Sequence, residues 1–96
     1  YKASLFEGGI NVPFIVRWPG KVAAGETNDS AMISAVDLLP TFCEIAGVKL
    51  PSAYQPDGVS QVSALQGQSS TGRTKPLFWK YGARWPAQKS RPHHWA

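Results

Sequence analysis

Lys2-Ala3-Ser4-Leu5-Phe6-Glu7-Gly8-Gly9-Ile10-Asn11-Val12-Pro13, running straight into Phe14-Ile15-Val16-Arg17-Trp18-Pro19-Gly20, is the stretch on which the fold is decided. Two adjacent glycines behind a carboxylate give a backbone that can turn sharply and bring neighbouring groups close together. Pro13 favours an extended lead-in, and the apolar run Phe14 to Val16, closed by Pro19-Gly20, reads as a short buried strand. The stretch therefore predicts a glycine loop fastened to a core element.

Further along, residues 21–30 are polar and glycine-containing, which predicts a surface loop. Within it, Asn28-Asp29-Ser30 matches the acceptor pattern for N-glycosylation. Ala31-Met32-Ile33-Ser34 suits a short strand or an extended lead-in to the next element. Asp37 to Ala46 is the clearest helix. Asp37 is a good N-cap, its carboxylate able to accept from the free amides of the first turn, and Pro40 falls where its missing N–H costs no intrahelical bond. Gly47 is the C-terminal stop. Asp37, Thr41 and Glu44, spaced four and three apart, form one narrow polar stripe, and Leu38, Leu39, Phe42, Cys43, Ile45 and Ala46 occupy the remaining circumference. A helix apolar over that much of its surface is expected to be buried on several sides, and 96 residues supply little with which to bury it. The pattern points to a larger parent.

Residues 48–55 form a proline-bounded connector. Pro56-Asp57-Gly58 reads as a turn built from a preset φ, a side-chain acceptor and a residue free to take positive φ. Ser60 is placed to cap a short helix through Ala64-Leu65-Gln66, stopped by Gly67, and residues 68–75 read as a flexible polar loop. Pro76 to Tyr81 alternates Leu77, Trp79 and Tyr81 against Phe78 and Lys80, a strand with one more buried face. From Gly82 onward, Pro86, Pro92 and the basic residues argue against regular structure. No repeat and no interior boundary divides the chain, so residues 1–96 are read as one piece.

With 43% apolar residues the chain has material for a modest core, and no apolar run approaches the ~20 residues that span a bilayer. The single cysteine, Cys43, cannot form an internal disulfide. A net charge of +4 suits a polyanionic partner, yet the basic residues are scattered until Arg73. Beyond it, Lys75, Lys80, Arg84, Lys89 and Arg91 interleave with Trp79, Tyr81, Trp85 and Trp95, the composition of a surface that touches nucleic acid or an anionic sugar. No nucleic-acid-binding motif frames those residues, so nucleic acid is not expected as a partner.

The opening stretch also resembles a known family. A lysine five residues before Glu-Gly-Gly, an aromatic just before the glutamate, and Val-Pro leading into an apolar segment are similar to the region of type I sulfatases written Gly-Lys-Gly-x-x-(aromatic)-Glu-Gly-Gly-x-Arg-x-Pro. Val36-Asp37-Leu38-Leu39-Pro40-Thr41, then Ile45-Ala46-Gly47-Val48 and Pro56-Asp57-Gly58-Val59-Ser60, fall in the order and spacing of that family. The resemblance covers nearly the whole chain but only the C-terminal part of the family's catalytic domain. It implies an α/β fold: a fragment of an alkaline-phosphatase-like α/β/α sandwich, in the order strand, loop, buried helix, short helix, strand, with its true start upstream of Tyr1.

By the same resemblance the intact protein is a sulfuric ester hydrolase that cleaves a sulfated small molecule or sulfated glycan, using formylglycine and a calcium ion, with a periplasmic, secreted or lysosomal location and no membrane partner. Lys2 matches the family lysine that contacts the substrate sulfate, which makes it the expected catalytic and substrate-binding residue. A fixed cation there would stabilise the spread-out negative charge of the sulfate as the ester breaks. Glu7 is expected to be structural, its carboxylate holding the glycine turn. Asn11 stands where the family usually places arginine and supplies neither its charge nor its fork of donors.

Cys43 is not the family's nucleophile. That residue begins a Cys/Ser-x-Pro-x-Arg segment, whereas Cys43 is followed by Glu44-Ile45-Ala46-Gly47 and suits a small hydrophobe's place on a helix. Asp37 reads as a cap and Asp57 as a turn residue, and the family's metal ligands lie upstream of Lys2, so no metal site can be assembled here. Adjacent His93 and His94 in a strand would point to opposite faces and suit the surface or a substrate rim. Trp79, Trp85 and Trp95 suit stacking on a sugar or aryl ring, with core packing the default for Trp79, which lies in a predicted strand. Lacking nucleophile and metal ligands, the 96 residues alone are expected to be inactive. Two alternatives stand beside this reading: a phosphonate or phosphate monoester hydrolase of the same superfamily, and a basic, tryptophan-rich polyanion-binding module.

Overall fold

Three helices, α1 (Glu7–Ile10), α2 (Leu38–Ala46) and α3 (Val62–Leu65), and two strands, β1 (Trp79–Tyr81) and β2 (His93–Trp95), are the regular elements of the computed structural model, which describes residues 5–69, 72–81 and 93–95. A single 3-10 turn, Ala35–Asp37, leads directly into α2. The described residues divide into two compact units, one drawn from 16–75 and the other from 1–15 with 76–96.

In the first unit α2 lies where the sequence predicts a helix, with Pro40 in its first turn. Its end is a Schellman closure: Gly47 takes φ 67°, its N–H donates to the Glu44 carbonyl at 3.1 Å, and the Val48 N–H donates to the Cys43 carbonyl at 2.8 Å. Gly67 ends α3 in the same way, with Gly67 N–H on the Ala64 carbonyl at 3.2 Å and Gln68 N–H on the Ser63 carbonyl at 2.9 Å. Ser60 plays only a small part in starting α3, since its hydroxyl accepts from the Val62 N–H at a long 3.5 Å.

Two members of the polar stripe turn inward: Asp37 and Thr41 are buried, while Glu44 and the apolar Val36, Leu39, Phe42 and Ile45 are exposed. The reason is what packs against it: α3 and residues 58–61 approach from the Asp37 and Thr41 side, and among the described residues nothing covers the other.

The same unit holds residues 18–31, within which the loop expected at 21–30 is irregular and largely exposed. It is fixed at both ends. The Trp18 carbonyl accepts from the Lys21 and Val22 amides at 3.1 and 2.9 Å around Gly20. At the far end Asn28 Oδ1 accepts from Ser30 N, Ser30 Oγ and Ala31 N at 2.9–3.1 Å, and its Nδ2 donates to the Ala64 carbonyl at 3.5 Å.

In the second unit the Glu7-Gly8-Gly9 stretch is one turn of helix, not the expected open loop. Gly9 N–H donates to the Phe6 carbonyl at 2.7 Å and Asn11 N–H to the Glu7 carbonyl at 2.8 Å. The strand expected at 14–16 is not formed; Phe14 and Ile15 are exposed, Ile15 at 90%. A strand requires a neighbour for its amides and carbonyls, and no described residue provides one to 14–16.

The strand expected at 76–81 is present as β1, shorter than anticipated, and it pairs antiparallel with β2 in the register Trp79↔Trp95, Lys80↔His94, Tyr81↔His93. Of the face expected to be buried, Leu77 is half-buried, whereas Trp79 is exposed, though less so than Phe78. β2 corrects the expectation of an irregular tail: the proline at 92 precedes the strand in the sequence and occupies none of its ladder positions.

Candidate functional site

Lys2 lies outside the described residues, as does Trp85. The motif following Lys2 is described from Leu5 onward. Glu7 opens α1, and its Oε1 accepts from Asn11 Nδ2 at 3.3 Å across one helical turn. Asn11 thus gives Glu7 a neutral donor at the position where the family usually has arginine.

The other residues weighed from sequence are dispersed. Cys43 is a half-buried free thiol on α2. Asp57 is exposed and lies 3.6 Å from Lys75 Nζ, a solvated pair of small energetic weight. His93 and His94 occupy successive positions of β2, paired in register with Tyr81 and Lys80.

The residue whose surroundings differ most from expectation is Asp37. It stands at the N-cap position of α2, as expected, but its carboxylate makes no hydrogen bond to the amides of the first turn. Its backbone is helical, at φ −80° and ψ −17°, and its side chain is fully buried. Oδ2 accepts from Ser34 N–H at 2.8 Å, the carboxylate half of a capping box, and Oδ1 accepts from Val59 N–H at 2.9 Å. Arg73 Nη2 completes the set as an ion pair on Oδ2. Beside it, the Thr41 hydroxyl donates to the Asp37 carbonyl at 2.6 Å and accepts from Gln61 N–H at 3.0 Å.

Residues 34, 59, 61 and 73 are thereby tied to one side of α2. Within the stretch 68–75, expected to be a flexible loop, the described residues 72–75 are anchored through Arg73, whose Nη1 is buried without a partner among the described residues. Gly58 serves this junction through closeness, not through positive φ as expected. A Cβ at that position would sit 2.0 Å from the Val36 carbonyl oxygen and 2.7 Å from Asp37 Cα.

Burial would raise the pKa of Asp37; the Arg73 hydrogen bond, the Ser34 and Val59 amides and the charge of Arg73 outweigh it and hold the carboxyl below its ordinary value. The carboxylate is therefore ionised and fully engaged. A group so placed is neither a general base nor a free metal ligand, and among the described residues no three of His, Cys, Asp and Glu cluster as a metal site. The described residues do not fit a calcium ion. No signal in the sequence announces the pairing of Asp37 with Arg73, 36 positions away.

A family model described as N-sulphoglucosamine sulphohydrolase, C-terminal, matches residues 1–96. The chain belongs to the sulfatase family. It is 37% identical over 83 residues to a sulfatase of Formosa agariphila, a match covering 83% of the chain and 15% of that relative. It is 36% identical over 93 residues to the steryl-sulfatase of Rattus norvegicus, covering 97% of the chain and 16% of the relative. Against the arylsulfatase A of Bos taurus it is 38% identical over 78 residues, 81% of the chain and 15% of the relative.

This sulfatase chain thus spans about a sixth or less of the curated relatives it matches. No solved structure matches it. Membership fits the alkaline-phosphatase-like α/β class and bears out the resemblance read from Glu7-Gly8-Gly9 and the three downstream stretches. It does not favour the phosphate-ester or tryptophan-rich binding alternatives. Among the described residues no helix is long and apolar enough to cross a membrane.

Proposed function

We propose that this chain is the C-terminal part of the catalytic domain of an enzyme that hydrolyses the sulfate ester of a small molecule or glycan, and that in the complete polypeptide it joins an α/β/α sandwich. The observation that carries the reading is the family match along all of residues 1–96, including Lys2 five positions before Glu7-Gly8-Gly9. In this reading Lys2 contacts the sulfate. Ester cleavage moves negative charge onto the bridging oxygen, and a fixed ammonium lowers the cost of that charge more in the transition state than in the ground state. Calcium and formylglycine belong, on this reading, to polypeptide outside this chain, and no step is routed through them.

The test is steady-state kinetics of Lys2→Ala in the full-length enzyme on an activated aryl sulfate, with a thermal melt alongside. Loss of one such donor is expected to lower kcat by about 10²–10³-fold, by analogy with oxyanion-hole deletions, while the melt stays unchanged. A kcat within a few-fold of wild type in a folded protein would remove Lys2 from the site. Turnover of the matching aryl phosphate in preference to the sulfate would overturn the sulfate-ester reading itself.

A further inference from the structure

The chain has two asparagines, Asn11 and Asn28, and only Asn28 is followed two positions on by a hydroxyl residue, in Asn28-Asp29-Ser30 with no proline between. All of residues 23–30 are exposed. A Cβ added at Gly25 meets nothing within 4 Å, so there is room beside the chain three residues before Asn28. The Ser30 hydroxyl donates to Asn28 Oδ1 at 3.0 Å, and the Ser30 and Ala31 N–H groups donate to the same oxygen at 3.1 and 2.9 Å. Asn28 Nδ2 carries two hydrogens, and it donates to the Ala64 carbonyl at 3.5 Å. These four bonds need only one of the two hydrogens, so the other can be exchanged for a bond to carbon with all four kept.

We propose that Asn28 is an acceptor site for an N-linked oligosaccharide, with a polyprenyl-diphosphate-linked oligosaccharide as the donor. In the transfer a bond forms between Nδ2 and the anomeric carbon of the first sugar. The bond from that carbon to the diphosphate oxygen breaks, and the lipid diphosphate leaves with the electron pair. One Nδ2 proton goes to a base of the transferring enzyme, and nothing is oxidised or reduced. A carboxamide nitrogen is a poor nucleophile because its lone pair is shared with the carbonyl, and the hydroxyl two residues on marks this asparagine for the transferase. The product suits the fold. Its amide oxygen survives, so Oδ1 still accepts from Ser30 and Ala31 and still closes the end of the loop, while the remaining N–H stays on the Ala64 carbonyl. A bulky, solubilising group needs a surface position, which Asn28 has. Asn11 is the contrast: its Nδ2 donates to Glu7 Oε1, and Val12-Pro13 follows it with no hydroxyl.

The proposal draws on this loop and not on Lys2 or the sulfate-ester reaction, so its failure would leave that reading intact. The experiment is secretion of the full-length enzyme from a eukaryotic cell line, followed by tryptic digestion, which releases Asn28 in the peptide 22–49 and Asn11 in the peptide 3–17. Mass spectrometry should find the 22–49 peptide carrying hexosamine and hexose, removed by peptide N-glycosidase with conversion of Asn28 to aspartate, and the 3–17 peptide unmodified. Ser30→Thr should keep the glycan, and Ser30→Ala should lose it entirely. Ser30→Ala also removes one of the three donors to Oδ1, so Ser30→Thr and the wild-type peptide carry the test if that variant is not secreted. A secreted, folded wild-type enzyme with an unmodified 22–49 peptide would overturn the proposal. So would a sugar that persists in Ser30→Ala or resists the N-glycosidase, since it would then sit on a hydroxyl.

Discussion

Replacing Asp37 by asparagine conserves size and removes only charge and one acceptor, which isolates the electrostatics of the junction. The two carboxylate oxygens take Ser34 N–H at 2.8 Å, Val59 N–H at 2.9 Å and Arg73 Nη2. Asparagine has a single oxygen. Whichever way its amide turns, the NH₂ faces a donor: Val59 N–H on one side, or Ser34 N–H and Arg73 on the other. Arg73, with its side chain 14% exposed, also keeps its charge without a counter-ion.

Removing one member of a buried ion pair costs about 3–5 kcal/mol, against a native stability of about 5–15 kcal/mol. At 1.36 kcal/mol per decade this is roughly two to four orders of magnitude in the local opening equilibrium. Native-state hydrogen exchange on the intact protein, read on peptides covering residues 34–41 and 57–62, measures that equilibrium directly. Arg73→Met on the Asp37→Asn background should recover much of the loss, since removing both partners leaves no uncompensated charge. If Asp37→Asn exchanges within about threefold of wild type, as an exposed substitution would, the junction does not hold α2 to residues 59 and 73 and the reasoning fails.

Two further outcomes rest on the same geometry. Gly58→Ala sets a Cβ against the Val36 carbonyl and the Asp37 Cα, both backbone, so the cost should reach at least the upper part of the about 1–3 kcal/mol typical of overpacking; a thermal melt of the intact protein checks it. The Asp37 carboxyl has a lowered folded pKa, so its contribution is fully present above its unfolded value of about 3.9 and is lost as pH falls through the folded value. Exchange protection of Ser34 and Val59 should therefore fall as pH drops below about 4, once intrinsic exchange is corrected for, and Asp37→Asn should flatten that dependence.

The residues that could be read in advance are those whose signal is local. Gly47, Pro40 and the periodicity around them mark α2 because a cap, a missing N–H and an i, i+4 spacing act within one or two turns. Pro19-Gly20 and Gly67 are legible for the same reason. What could not be read is long-range. Periodicity says that Asp37 and Thr41 share a face but not which face turns inward, and here the inward one is chosen by Val59, Gln61 and Arg73. Gly58 is a turn glycine by pattern and a contact glycine in fact, because the Val36 carbonyl it meets is distant in sequence. Residues 14–16 have a strand's composition, yet composition cannot supply the neighbouring strand. The expectation for Lys2 rests on resemblance alone, since nothing local distinguishes it from any lysine near a chain end.

The loop of residues 18–31 offers a place to attach something foreign. Its ends are held by the Lys21 and Val22 amides on the Trp18 carbonyl and by the Asn28 side chain, bonds in which residues 23–27 take no part, and Gly25 at φ 76° has nothing within 4 Å of a Cβ. Closing a longer loop between fixed ends costs only about 0.6 kcal/mol per doubling of its length. A short peptide tag or a dye-binding sequence spliced in at Gly25 would therefore ride on α2 and its junction without loading either, giving an optical handle on the segment that carries Asp37.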